Sequence, residues 1–121
     1  MKLKVLDAEL TVCQVADAAN IDLKAGLCFI GKTDEELSLV CETEAAPART
    51  LARSDGWRAF RIEGVLDFSL VGILARISAI LAAHNIGIFA VSTFNTDYIL
   101  VKDIHFDRAI AALEKNGYLV Q

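Results

Sequence analysis

The sequence predicts an α+β fold in which two helices pack on one face of an antiparallel sheet. Apolar residues recur at helical spacing in two segments of the C-terminal half, and strand-like runs precede, separate and follow these segments. The predicted order is strand 57–66, helix 69–84, strands 88–94 and 98–102, helix 105–116 and strand 118–120. This β-α-β-β-α-β order is typical of a ferredoxin-like unit, whose two crossovers lay both helices on the same face.

The polarity of each element indicates which side meets the core. Strand 57–66 alternates, with Phe60, Ile62 and Leu66 on one face. The first helix, from about Ser69 to Ala83, has a wide apolar stripe composed of Leu70, Ile73, Leu74, Ile77, Ile80 and Leu81. The sequence His84-Asn85-Ile86-Gly87 is a stop signal for this helix. The second helix directs Phe106, Ala109, Ile110 and Leu113 inward, with Asp103 as its expected N-cap and Gly117 just past its end.

The other face of the first helix is small and carries a single charge. It contains Gly72, Ala75, Arg76, Ala79, Ala82 and Ala83. Solvent-facing helix surfaces normally carry Lys and Glu, so this face predicts the close approach of another element. The chain is also 55% hydrophobic, above the usual 45–50%. Both observations favour a homodimer or larger homo-oligomer; the alternatives are an exposed alanine face or packing on the N-terminal half.

The N-terminal half is predicted to contain strands but no long helix. The strands are 2–6, 10–16, 27–31 and 37–41, with Asp7-Ala8-Glu9 between the first two and one acidic turn at 33–36. The stretch 42–55 holds the only proline, Pro47, and is interpreted as the link between halves, with a helical turn at 48–53 and a turn at Asp55-Gly56. The predicted domains are therefore 1–54 and 55–121.

Composition excludes several classes of function. A net charge of −4 argues against a nucleic-acid-binding surface. The longest clean apolar run of the first helix, Leu70–Ala75, is far too short to span a membrane. Acidic residues interrupt any signal-peptide core near the N-terminus, so a cytoplasmic protein is expected. The three cysteines, Cys13, Cys28 and Cys41, have no CxxC spacing and are expected to be buried free thiols.

No enzymatic constellation is recognisable. Neither His84 nor His105 can be paired with a nucleophile, and there are too few ligands for a zinc site. There is also no phosphate-binding glycine loop. The sequence therefore predicts a non-enzymatic protein with no cofactor and no metal.

The segment from Asp67 to Gly72 is the strongest candidate for a binding site. N–H groups at a helix start attract anions, so the carboxylate of an amino acid could bind the N–H groups of Leu70 and Val71. Gly72 would allow close approach, and Asp67 could bind the ammonium group. The alternative is that Asp67 and Ser69 only cap the helix.

Two further segments complete the predicted site. The strand residues Ile88, Phe89 and Ala90 are expected to face the turn and pair with the main chain of the ligand. Asp97, beside Asn95, could select a basic side chain; the alternative is ordinary turn chemistry.

These residues carry a resemblance to a known family. Asp67, Gly72, the helix up to His84, and the run NIGIFAVSTFNTDYILVK resemble the ACT domain, a ligand-binding regulatory module. The opening Asp67-Phe68-Ser69-Leu70-Val71-Gly72 departs from the commoner Asp-x-Pro-Gly. It is similar to the aspartate-kinase-like branch and to small bacterial proteins like the CASTOR arginine sensors. The run TDEELSLVCE, followed by Pro47, resembles the first half of such proteins.

The resemblance implies two ACT-like lobes, a degenerate one in 1–54 and a complete one in 55–121. It also implies a regulatory module that binds an amino acid at a lobe or dimer interface. A protein-interaction subunit with a vestigial ligand site is the main alternative. An acylphosphatase-type enzyme would need an arginine-bearing glycine loop where Asp67 stands. An RNA-binding module would need exposed aromatic side chains, for which Phe60 and Tyr98 are the candidates, among basic residues.

Overall fold

A computed structural model describes residues 1–65, 67 and 69–121. The elements are β1 (Lys2–Gln14), β2 (Cys28–Lys32), β3 (Leu37–Glu42), β4 (Ala52–Ile62), α1 (Ile73–Ala83), β5 (Phe89–Ser92), β6 (Asp97–Lys102), α2 (Asp103–Lys115) and β7 (Leu119–Val120). Two compact units are present: Met1–Asp7 with Arg58–Gln121, and Ala8–Trp57. These bounds differ from the predicted halves because β1 and β4 each contribute to both units. The prediction that each half is an ACT-like lobe stays a prediction.

The larger unit has the predicted β-α-β-β-α-β order, formed by β4, α1, β5, β6, α2 and β7. Its sheet order is β7-β1-β4-β6-β5. The start of β1 therefore lies between β7 and β4 as an additional strand, and the other four strands keep their predicted ferredoxin-like order. Lys2 and Leu3 pair in parallel with Leu119 and Val120. Leu3 is fully buried between exposed lysines, and this alternation suits a strand with one face on a core.

The core of this unit confirms most of the predicted apolar faces. Helix α1 contributes Ile77 and Leu81, and α2 contributes Phe106, Ala109 and Leu113. The strands add Leu3, Phe60, Ile62, Ile99 and Val101. Leu70 is the exception, because it precedes the helix and is 53% exposed. Leu66 was predicted to be the last residue of its strand and Phe68 a part of the Asp67–Gly72 turn; both lie outside the described residues.

Helix α1 begins at Ile73, four residues later than predicted. Gly72 is its N-cap, with φ +80 in the left-handed region and no side-chain capping bond. The alternative that Asp67 and Ser69 cap the helix is therefore wrong. The predicted stop is confirmed: Asn85 has φ 58, and the Ile86 N–H donates to the Leu81 carbonyl at 3.0 Å.

Two other boundaries were predicted only in part. Asp103 is the first residue of α2 rather than its N-cap, which is Lys102; Gly117, with φ 94, follows the helix as predicted. Asp97 belongs to β6 and pairs with Ser92, so the hairpin loop is 93–96 rather than 95–97. The Thr93 N–H closes this loop by donating to the Thr96 carbonyl at 2.9 Å.

The smaller unit contains the strand order β2-β3-β1. The two strands predicted at 2–6 and 10–16 are one strand, because Asp7 and Glu9 are exposed and continue the alternation through Ala8. The predicted helical turn at 48–53 is wrong: a single 3₁₀ turn lies at Thr43–Ala45, and β4 begins at Ala52. The acidic turn is confirmed, with the Thr33 hydroxyl accepting the N–H groups of Glu35 and Glu36.

Side-chain contacts explain why Asp55-Gly56 lies inside β4 instead of forming a turn. Asp55 accepts the Thr11 hydroxyl at 2.6 Å and the Arg53 guanidinium at 2.9 Å. Gly56 takes φ +80 within the strand. The cysteines are free, as predicted: Cys13 and Cys41 are buried and Cys28 is half-buried. Among the described residues, no helix combines the length and apolar character needed to cross a bilayer.

Candidate functional site

A cavity of about 330 Å³ lies between the segment that leads into α1 and the β5–β6 loop of the larger unit. We call it the acidic cavity. Its described lining consists of Asp67, Leu70, Gly72, Ile73, Leu74 and Ala75 on one side, and Ser92, Thr93, Phe94, Asn95, Thr96 and Asp97 on the other. This volume lies within the range of small-molecule sites.

A tight turn ahead of the helix shapes the first wall. The Asp67 carboxylate accepts the Ser69 N–H at 2.8 Å, and the Asp67 carbonyl accepts the Leu70 N–H at 3.0 Å. The hydrogen bond from the Ser69 backbone lowers the pKa of Asp67, and the Ser69 side chain lowers it to a smaller extent. Both effects favour the ionised form of this exposed carboxyl group. Gly72 then turns the chain into the helix through its positive φ.

This turn changes the anion site predicted from the sequence. The Leu70 N–H already has the Asp67 carbonyl as its partner, so it is not the donor that the prediction needs. The donors at the actual helix start belong to Ile73, Leu74 and Ala75, because no carbonyl within the helix lies four residues before them. All three residues line the acidic cavity.

The β5–β6 loop forms the second wall and is anchored to β4. Thr96 is only 6% exposed, and its hydroxyl donates to the Ile62 carbonyl at 2.7 Å. The Ser92 hydroxyl donates to one oxygen of Asp97 at 2.6 Å and fixes the orientation of this carboxylate. These bonds hold the loop in place, so its polar side chains are preorganised around the cavity.

The structure brings together four of the nine predicted site residues. Asp67, Leu70, Gly72 and Asp97 line the acidic cavity. Val71 is 90% exposed and lines a different cavity, and Ser69 serves as a donor to Asp67. The strand residues Ile88, Phe89 and Ala90 are not among the described lining residues of either cavity, and their contact with a ligand stays a prediction.

The predicted reason for Gly72 also needs correction. A Cβ atom built on Gly72 would meet no heavy atom of the described residues within 4 Å, so these residues give its positive φ, rather than close approach, as the reason for glycine. The sequence reasoning missed the loop residues Ser92, Thr93 and Thr96, although their position next to Asp97 in a hairpin was a usable signal.

The chemistry of the acidic cavity favours a ligand with a positive charge. The described lining includes two carboxylates and no basic side chain. The start of α1 adds N–H groups that suit a negative group at one end of the same ligand. Within the described part of the chain, no group of His, Cys, Asp and Glu is arranged to hold a metal ion.

Comparisons with known proteins agree with the fold described above. The family model for the ACT domain matches residues 52–115, more than half of the chain. The solved protein Atu0741 from Agobacterium tumefaciens is 31% identical over 99% of this chain and 91% of that one, with a TM-score of 0.87. No curated protein matches.

More distant structures share the fold. Protein VC0802 from Vibrio cholerae, described as a possible transport protein, is 22% identical over 94% of this chain and 88% of that one, with a TM-score of 0.72. Aspartate kinase from Clostridium acetobutylicum is 14% identical over 91% of this chain and 32% of that one, with a TM-score of 0.62. The chain therefore belongs to the ACT domain family, and it is similar to the regulatory region of aspartate kinases.

Proposed function

We propose that this ACT-domain protein is a non-enzymatic regulatory module that binds a free amino acid in the acidic cavity. One observation carries the proposal: the cavity combines two carboxylates with the N-terminus of α1. An amino acid offers the complementary pair of charges on two groups attached to the same carbon. The similar aspartate kinase from Clostridium acetobutylicum is described as an allosteric enzyme, which fits a regulatory role.

Each group of the proposed ligand is matched to one part of the cavity wall. The α-carboxylate binds the N–H groups at the start of α1, where the helix dipole favours a negative charge. The α-ammonium binds the carboxylate of Asp67, whose pKa is lowered by the hydrogen bond from Ser69. A basic ligand side chain reaches Asp97, whose orientation is fixed by Ser92. Arginine and lysine are therefore the first ligands to test.

The expected affinity follows from these contacts. A hydrogen bond to a charged group contributes about 1.5–3 kcal/mol. Micromolar binding needs about 8 kcal/mol, so the contacts at both ends of the ligand must act together. Removal of one carboxylate should therefore weaken binding by about tenfold or more.

The test is isothermal titration calorimetry with each of the twenty amino acids. Asp67→Asn and Asp97→Asn remove one charge each without changing size. Asp107→Asn is the matched control, since Asp107 is exposed on α2 and does not line the cavity. We expect weaker binding for the two cavity variants and unchanged binding for the control. If an amino acid binds and all three variants bind it equally well, the site lies elsewhere.

We also propose that the protein forms a homodimer or larger homo-oligomer in the cytoplasm. Ala75, Ala79, Ala82 and Ala83 are all exposed on α1, so the small face predicted from the sequence is open in the single chain. Three free thiols fit a reducing compartment. Light scattering of the wild type and of Ala79→Glu tests the assembly. The wild type should have a multimeric mass and the variant a smaller one; a monomeric wild type contradicts this proposal.

The second candidate function is a protein-interaction subunit with a vestigial ligand site. The apolar side chains of Val71 and Phe94 are 90% and 78% exposed and favour it, because exposed apolar surface suits contact with another protein. The calorimetric test distinguishes the two functions: if no amino acid binds the wild type, the regulatory-module proposal fails and the interaction subunit is favoured.

A further inference from the structure

A second cavity of about 360 Å³ lies on the other side of the segment that leads into α1. We call it the arginine cavity. Its described lining belongs entirely to the larger unit and consists of Met1, Val71, Gly72, Ile73, Arg76, Asn116, Gly117 and Tyr118. Gly72 and Ile73 line both cavities, so one short stretch of backbone forms a wall of each.

The charge of this cavity is opposite to that of the acidic cavity. Arg76 is the charged side chain among its described lining residues, and none of those residues is acidic. Among the described residues, the ion pairs formed by arginines involve Arg53, Arg58 and Arg61, and no carboxylate pairs with Arg76. The guanidinium group therefore retains N–H donors suited to an anion.

The structure holds this guanidinium group in a defined position. One of its N–H groups donates to the Asn116 carbonyl at 3.2 Å, and its central carbon lies 5.4 Å from the centre of the Tyr118 ring. Tyr118 is buried, and the amide of Asn116 donates to the Ala112 carbonyl at 2.8 Å. Both partners are thus fixed to the rest of the unit, and Arg76 loses little freedom when an anion binds.

The remaining lining selects the rest of the ligand. Met1, Val71, Ile73 and Tyr118 present apolar surface, and Val71 and Met1 are 90% and 53% exposed. A ligand that fits this lining has one negative group for Arg76 and an apolar group for these side chains. A positive group would have no acidic partner among the described lining residues, so a zwitterionic amino acid is disfavoured here.

We propose that the arginine cavity is a second binding site, which takes a small carboxylate with an apolar tail. The carboxylate forms a bidentate pair with the Arg76 guanidinium, and the tail covers Val71 and Ile73. This site does not depend on amino-acid binding in the acidic cavity. The proposal therefore stands even if the acidic cavity binds no ligand.

Phenylacetate is the probe, with the uncharged isostere phenylacetamide as its control. Amide chemical shifts in ¹H–¹⁵N NMR spectra report both the affinity and the location of binding. We expect saturable binding of phenylacetate, with a dissociation constant of about 1 mM or tighter. The shifts should centre on Gly72, Arg76 and Gly117, and phenylacetamide should bind about tenfold more weakly.

Two variants test the role of Arg76 and the place of the tail. Arg76→Gln removes the charge, and Val71→Asp adds a negative charge at an exposed position of the lining; both should weaken phenylacetate binding by about tenfold or more. Arg49→Gln is the matched control because Arg49 is exposed and lies outside the cavity. In Arg76→Gln, phenylacetate and phenylacetamide should bind equally weakly.

Three results of these binding experiments would each overturn the proposal of a second site. Absence of saturable binding to the wild type at about 10 mM phenylacetate overturns it. Unchanged binding by Arg76→Gln, or shifts centred on residues outside the cavity, also overturns it. A loss of amino-acid binding in Asp67→Asn has no bearing on this result, so failure of the proposed function remains distinguishable.

Discussion

Replacement of Gly72 by alanine should destabilise the protein through the backbone alone. Gly72 has φ +80, and a Cβ atom at this position would meet no heavy atom within 4 Å in the part of the chain that the structure describes. The left-handed conformation costs an L-residue about 1–2 kcal/mol. Alanine also lowers the conformational entropy of the unfolded chain. This effect raises the free energy of unfolding by about 0.4–1 kcal/mol. The two effects together should lower the free energy of unfolding by about 1 kcal/mol.

Gly87→Ala is the matched control for this substitution. A Cβ atom at Gly87 also meets no heavy atom within 4 Å among the described residues, but the φ of Gly87 lies outside the left-handed region. The effect on the unfolded chain is the same in both variants and cancels in their difference, which should be about 1–2 kcal/mol.

Urea unfolding followed by circular dichroism measures this difference. If the unfolding free energies of the two variants fall with urea concentration at equal slopes but reach zero at different midpoints, the variants differ in stability and not in the surface exposed on unfolding. If the two variants unfold at the same urea concentration, Gly72 is not held in the left-handed conformation, and the structural reason given for the start of α1 is wrong.

Two further predictions concern buried polar groups. Thr96→Val removes the hydroxyl that donates to the Ile62 carbonyl and should lower the free energy of unfolding by about 1–3 kcal/mol in urea; a change within about 0.5 kcal/mol would contradict the anchoring role of this bond. Burial raises the pKa of Cys41 to about 11, from 9.0. The folded protein therefore keeps a thiol proton that the unfolded chain loses, and the free energy of unfolding should fall as the pH rises from about 9 towards about 11. Cys41→Ala should reduce this alkaline slope, measured from urea midpoints at several pH values; an equal slope in both proteins would show that Cys41 does not cause it.

Periodicity predicted the elements of the larger unit well, because its helices and strands bury one regular face. Ile77, Leu81, Phe106 and Leu113 lie in the core as their spacing indicated. The start of α1 could not be placed in the same way. Ser69 and Leu70 have helix-compatible side chains, and only the backbone conformation of Gly72 moves the boundary to Ile73.

Long-range pairing was the main feature that sequence patterns could not supply. Nothing local in residues 2 and 3 indicates that they pair in parallel with residues 119 and 120. The acidic cavity was predicted in part for a related reason. Asp67 and Asp97 were found as charged residues beside turns, but their juxtaposition depends on how the β5–β6 loop packs against β4 through Thr96. The strand residues Ile88–Ala90 were expected to face the turn, whereas the described lining on that side comes from residues 92–97.

The pairing of β1 with β7 has a consequence for biosynthesis. The Leu119 N–H donates to the Met1 carbonyl at 3.1 Å, and the Val5 N–H donates to the Gln121 carbonyl at 2.8 Å. Ribosomes make the N-terminal segment first, so residues 1–7 must wait for residues 119–121 to emerge before this edge of their strand is paired. Because β1 and β7 are parallel, no tight turn could join them, and this edge of the sheet closes only after the chain between them has been made.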